Sequence, residues 1–304
     1  MIGILSAFGA AISWTYACFI WRTHTQKYKS TDINLIKNII AFLVFTPSFI
    51  NLSSATEFKY IFILLLSGII GIGLGDTFYL KSLQTIGTRK TLSVETLSPL
   101  MAALSGEIFI NENLAPKSWI GIIIVTISLF IILKKGSDFK EENSSFPEKN
   151  NFKIYAFPFL SVLCAVLGGL FSRIVFLESD LSPFLTTEIR LLGAIIFLIT
   201  LKRFKINFFL KNLEKKPKKR FLLSIFLGTN IGILLQQIVF KTLPIGIGWA
   251  LLSTSPVISL FFARNEEREI TKKIIFFTCS LFFCLLYTSP SPRDEQSSRM
   301  PSSA

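Results

Sequence analysis

The sequence predicts an all-α integral membrane protein, with about ten transmembrane helices arranged as two inverted five-helix repeats. Three observations carry this expectation. Apolar stretches long enough to cross a bilayer recur along the whole chain. Only 17% of the 304 residues are charged, against roughly a quarter in a soluble protein. Matching residues also reappear in the same order 157 to 160 positions further on.

The spans come first. A helix needs about 20 mostly apolar residues to cross a bilayer, and in lipid each backbone polar group must be paired within its own segment. The windows that meet this are 2–21, 33–50, 60–80, 91–110, 118–134, 154–177, 183–201, 221–241, 246–263 and 272–287. The first begins at once after Met1, lacks a basic leader and is too long for a signal-peptide core, so it reads as a span. The longest polar stretch, Lys135 to Lys153, reads as a flexible linker. This divides the chain into 1–134 (first unit), 135–153 (linker), 154–286 (second unit) and 287–304 (polar tail). A second polar stretch, Lys202 to Arg220, is strongly basic.

Composition excludes several function classes. The net charge of +13 sits in connectors between apolar segments, which fits an anionic membrane surface better than nucleic acid. Cys18, Cys164, Cys279 and Cys284 all lie in apolar stretches without zinc-ligand spacing, so no metal, disulfide or cofactor is implied. The single histidine, His24, falls in a short connector and reads as solvated. No metal-protease, Asp-rich or phosphate-loop motif is present, so the chain does not read as an enzyme.

The repeat is legible in ordered pairs. Lys81-Ser82-Leu83 is answered by Lys241-Thr242-Leu243, Ile86-Gly87 by Ile245-Gly246, and Pro99 and Glu112 by Pro256 and Glu269. Lys37 and Arg190 fall at equivalent places in the second helix of each unit. Five crossings is an odd number, so two tandem units point opposite ways, as in alternating-access transporters. Loop charge sets the orientation: 23 Lys and Arg residues lie in the odd-numbered loops and two, Lys59 and Lys117, in the even-numbered ones. The odd loops are therefore expected in the cytoplasm and both termini outside.

The stretch Gly71-Ile-Gly-Leu-Gly-Asp76-Thr-Phe-Tyr79-Leu-Lys-Ser-Leu83, running on through Ile86-Gly87 to Leu97-Ser98-Pro99, resembles the EamA family of the drug/metabolite transporter superfamily. Glu112, followed by Trp119-Ile120-Gly121, extends the resemblance, and Gly228, Pro256 and Glu269 repeat it more loosely. The resemblance covers about 2–285 and is most specific over 68–121. It implies ten helices, a central cavity and the export or exchange of small metabolites such as amino acids or their relatives. The tail after Leu286 departs from it. Tyr287 to Ala304 resembles translated sequencing-adapter read-through, so the tenth helix is expected to be cut short; a genuine disordered Ser/Pro tail is the alternative.

Ionisable groups inside spans are functional candidates because each costs about 2.5–3.5 kcal/mol at the bilayer centre. Asp76 follows Gly71, Gly73 and Gly75, which permit close helix approach. It either binds a proton or cationic group in the cavity or ties helices three and four together. Glu95 is the second carboxylate, either protonated during transport or paired with Lys81 or Arg89. Arg190 either captures a substrate carboxylate or pairs with Glu188 or Glu178, with Arg173 in the same charged set. Trp14, Tyr16, Tyr79 and Trp249 offer aromatic walls or interface anchors. Asn230, Gln236 and Gln237 add neutral polar groups. Pro99 and Pro256 are expected to kink their helices and shape the cavity.

The functional expectation is a secondary transporter of small metabolites in the cytoplasmic membrane, with Asp76 or Glu95 as the proton-coupling candidate. Its partners are a small-molecule substrate and membrane lipid, not nucleic acid; monomer and homodimer are both left open. The alternative is a membrane scaffold or channel without coupled transport.

Overall fold

The computed structural model describes residues 1–47, 57–136, 156–205, 209–255 and 258. All regular structure in them is helical. In the first half, α1 is Ile2–Thr25, α2 Ser30–Phe45, α3 Phe58–Ser67, α4 Asp76–Thr85, α5 Gly87–Glu95, α6 Ser98–Ile110 and α7 Pro116–Gly136. The second half holds α8 Ala156–Glu178, α9 Pro183–Leu201, α10 Lys215–Ser224, α11 Gly232–Thr242 and α12 Ile245–Leu252. Five helical rods are long and apolar enough to span a membrane: Ile2–Thr25, Phe58–Thr85, Ala156–Glu178, Pro183–Leu201 and Lys215–Thr242. The protein is a multi-pass, all-α membrane protein. Large apolar side chains such as Ile2, Phe58, Phe62, Ile108, Phe109 and Ile120 are exposed, as a surface solvated by hydrocarbon allows.

Two of the rods are wound unevenly. The α3–α4 rod passes through a π-helical stretch at Gly68–Gly75, and the α10–α11 rod through another at Ile225–Ile231. Wider winding leaves carbonyls in need of donors. Asn34 supplies them in the first rod, its Nδ2 lying 2.9 Å from the Ile72 carbonyl and 3.1 Å from that of Gly73. The same rod packs its glycines on the second half: a Cβ on Gly168 would lie 2.6 Å from the Gly71 Cα. Backbone therefore meets backbone at a point where no larger residue fits. Packing crosses the halves reciprocally, with the Gly68–Gly75 stretch against α8 and α9, and the Ile225–Ile231 stretch against α1 and α2.

Several sequence expectations are revised. The span expected over 91–110 is two helices, α5 and α6, separated by a turn at Thr96 and Leu97. Pro99 is not a mid-helix kink: it occupies the first turn of α6, where a missing N–H costs nothing. The basic stretch expected as a loop to Arg220 becomes helical at Lys215, so its last cations sit on the first turns of α10. His24 is not solvated; it is 7% exposed within α1, its ring 4.7 Å from that of Phe221. Most of the linker, Pro256, Glu269, the tenth span and the tail lie outside the described residues.

Polar ties hold both ends of the bundle. At one end Glu112 accepts from Arg173 Nε at 2.6 Å and from the Ile245 N–H at 2.7 Å. Arg173 Nη1 also donates to the carbonyls of Phe240 and Lys241, at 2.9 and 3.1 Å. Asn111, in the left-handed region at φ 51°, turns the chain out of α6 so that Glu112 reaches this point. At the other end Lys202 pairs with Asp32, and Tyr28 stacks on Phe209 at 4.2 Å.

Candidate functional site

Between these ends lies a cavity enclosing about 950 Å³ of non-atom space, part of it open to solvent. Its walls come from both halves. Asp76 enters from the point where the π-helical stretch gives way to α4, so the change in winding aims it inward. Glu95 is the last residue of α5, beside the break, and Ser98 begins the next helix. The second half contributes Arg190 on α9, Gln236 on α11 and Trp249 on α12. Trp14 and Tyr79 complete an aromatic side with ring centroids 5.6 Å apart.

All seven residues singled out in the sequence for substrate or proton binding therefore line one cavity: Asp76, Glu95, Tyr79, Trp14, Arg190, Gln236 and Trp249. Their partners differ from those expected. Asp76 does not tie helix three to helix four; its Oδ2 pairs with Lys37 Nζ on α2. Lys37 is fully buried, and its ammonium also lies 5.0 Å from the Trp21 ring. Tyr79 shares a hydrogen bond with Cys18 Sγ at 3.1 Å. Lys81 donates to Gln84 at 3.1 Å rather than to Glu95; the side chain of Arg89, the other partner expected for Glu95, lies outside the described residues.

Arg190 is 2% exposed, and its Nε and Nη1 have no hydrogen-bond partner among the described residues. Neither expected carboxylate meets it. Glu178 takes Lys59 at 2.5 Å on the surface, and both oxygens of the buried Glu188 lack a described partner. Arg173 is bound elsewhere, to Glu112. Of the neutral polar candidates, Asn230 donates to the Ala41 carbonyl at 3.0 Å, while Gln237 is buried with neither end of its amide partnered among the described residues. Tyr16 does not reach the cavity. Lys37 is the buried charge that sequence reasoning undervalued: its place matches that of Arg190, but its pairing with Asp76 is not visible in the sequence. A lysine in an apolar span was the available signal.

The model of the EamA-like transporter family matches residues 1–134. Over those residues the chain matches the EamA family. The matched EamA unit runs from α1 to nearly the end of α7 and supplies Trp14, Asp76, Tyr79 and Glu95 to the cavity; Arg190, Gln236 and Trp249 come from the chain beyond it. The EamA family is one of transporters, not enzymes. Among curated proteins none matches the chain significantly. Chains of solved structures do, 28 of them, so the arrangement is a recurrent one. One, described only as the crystal structure of a protein, superposes with a TM-score of 0.68 at 13% identity, covering 92% of this chain and 95% of its own. That likeness shows a shared fold over most of the chain and carries no function with it.

Proposed function

We propose that the protein is a secondary transporter that exports or exchanges small metabolites, amino acids or related compounds, across the cytoplasmic membrane by alternating access. The observation that carries this reading is the cavity: ionisable, polar and aromatic groups converge inside a membrane protein at the junction of its halves, where transporter binding sites form.

The proposal includes ten helices in two inverted units, 1–134 and 154–286, joined by the linker 135–153. One register supports it. At an offset of 157 residues, rather than the 160 at which Lys81-Ser82-Leu83 pairs with Lys241-Thr242-Leu243, the π-helical stretch from Gly68 falls on the one from Ile225, Gly75 on Gly232, and Tyr79 on Gln236. The helix break at Thr96–Leu97 falls on the turn at Ser253–Thr254, with Ser98 on Ser255. The reciprocal packing of each distorted rod on the first two helices of the other half obeys the same symmetry. Rocking of the units about the cavity would open its ends in turn, breaking the Glu112–Arg173 tie on one side and the Lys202–Asp32 tie on the other.

In this scheme Glu95 is the proton-coupling group. Asp76 is already neutralised by Lys37, whereas Glu95 lines the cavity at the end of α5 and has no ion-pair partner among the described side chains.

The test is extracellular metabolite profiling of cells expressing the protein, beside an empty control and Glu95→Gln at equal membrane abundance. Selective accumulation of one compound class outside, with its dependence on the proton gradient lost in the variant, is the expected result. Export that keeps its gradient dependence in Glu95→Gln removes Glu95 from coupling. No difference between expressing and control cells rejects export.

A further inference from the structure

The second helices of the two halves, α2 and α9, meet along a seam. They run antiparallel: Phe45 meets Phe184 at one end, with ring centroids 6.2 Å apart, and Asp32 pairs with Lys202 at the other. Between these ends Leu35 and Phe42 pack with Ile195 and Leu198. The contacts define one stripe on each helix, and by helical spacing Asn38 falls on the first stripe and Glu188 on the second. Glu188 has no exposed surface, and neither of its oxygens has a hydrogen-bond partner among the described residues. It is not part of the cavity wall. Lys241 donates to the Leu181 carbonyl at 3.0 Å and its own carbonyl accepts from Arg173, so α9 begins at the Glu112–Arg173 end of the bundle. Glu188 is the sixth residue of that helix and lies near that end.

The charged groups around the seam are already engaged. The elements packed most closely on α9 are α2, α3, α11 and the Gly68–Gly75 stretch. On α2, Lys37 is paired with Asp76 and Asp32 with Lys202. On α3, Lys59 is paired with Glu178, whose carbonyl accepts from the Tyr60 hydroxyl. On α11, Lys241 holds the Leu181 carbonyl, and the Gly68–Gly75 stretch has no titratable group. Arg190, two residues on from Glu188, projects from the other side of α9 and lines the cavity. Residues 48–56, which follow α2 in the chain, include no Lys or Arg. An ionised carboxylate without a counter-charge is costly in such a place. A hard metal ion would need several oxygen ligands, whereas the stripes are mainly aromatic and aliphatic. A proton needs none. It also supplies a donor that the seam lacks, because Asn38 Oδ1 on the facing stripe is buried without a partner too.

Resting on the rocking of the two halves proposed above, we infer that Glu188 is a proton-binding site separate from the cavity, and that its proton holds the seam shut at the Glu112–Arg173 end. When that end opens, α2 and α9 part, the carboxyl O–H bond breaks and the proton passes to water. The carboxylate left behind is hydrated and resists reclosure. High pH on that side therefore favours the open end and low pH the closed one.

The experiment has two arms, and neither depends on flux. In the first, infrared spectra of the full-length protein in lipid are recorded with Glu95→Gln present, which removes the cavity acid. A protonated-carboxyl band is expected at neutral pH, and adding Glu188→Gln should remove it. In the second, maleimide labelling of Phe45→Cys is read at that residue by peptide mass spectrometry. It is divided by the labelling of the same variant carrying Glu188→Gln, which cancels the ionisation of the thiol itself. The ratio is expected to rise with pH by up to about tenfold per unit, the limit for one proton. A substitution that merely loosens the seam changes the ratio by one factor at every pH, so the slope isolates the proton. A spectrum that Glu188→Gln leaves unchanged, or a ratio that stays flat or falls as pH rises, overturns the inference. Absence of export in the metabolite profiling rejects the transporter reading and leaves both of these readouts to decide the proton site.

Discussion

Lys37 has no exposed surface, and its ammonium is tolerable there because Asp76 meets it across the helix interface. Removing one member of a buried pair strands the other, at about 3–5 kcal/mol, whereas replacing both with neutral groups is often nearly neutral. Lys37→Met and Asp76→Asn are each expected to lower the melting temperature of the detergent-purified protein strongly, while the double variant recovers most of the loss. Additive losses in that cycle would show that the two side chains do not act as a pair. The sequence made both residues conspicuous as charges in apolar spans. It could not pair them, because they lie 39 residues apart on different helices and only packing decides which faces meet.

At the scale of elements, glycine placement and helix winding govern the site. The glycines around Gly71 were legible as a close-approach surface; their mate, Gly168, was not, since nothing local marks a glycine in α8 as facing another helix. A methyl group at Gly168 would press on the Gly71 backbone, which cannot swing away as a flexible side chain would. Gly168→Ala is therefore expected to cost about 1–3 kcal/mol of stability, as overpacking does. Gly232→Ala serves as the control, because the nearest atom to its added methyl is 3.5 Å away. Equal melting temperatures for the two variants would reject the close approach. The break after Glu95 was also misread. The apolar window runs on through Thr96 and Leu97, and hydropathy records what lipid accepts, not where the backbone stops bonding to itself.

For the whole molecule, the loop-charge bias makes a topological prediction. Lys205, after α9, and Lys117, in the first turn of α7, are both exposed and assigned to opposite sides. With Lys205→Cys and Lys117→Cys introduced singly, a membrane-impermeant maleimide applied to intact cells should label position 117 and spare position 205 until the cells are opened. The reverse pattern would invert the assignment, and labelling of both in intact cells would reject opposite sides. Cys18 and Cys164 are buried, and the unsubstituted protein, which also carries Cys279 and Cys284, sets the background labelling.

The sequence by itself determined the solvent this protein lives in, its match to the EamA family over residues 1–134 and the residues worth watching. Those are properties of short windows: apolar length, loop charge and an ionisable group where none is cheap. The tertiary structure decided who meets whom. It joined Asp76 to Lys37, Arg173 to Glu112, and left Arg190 facing the cavity without either of the carboxylates expected for it. Each outcome depends on helix rotation and crossing, which are set by ridge, groove and glycine contacts between segments far apart in the chain, and no single window of sequence contains that information.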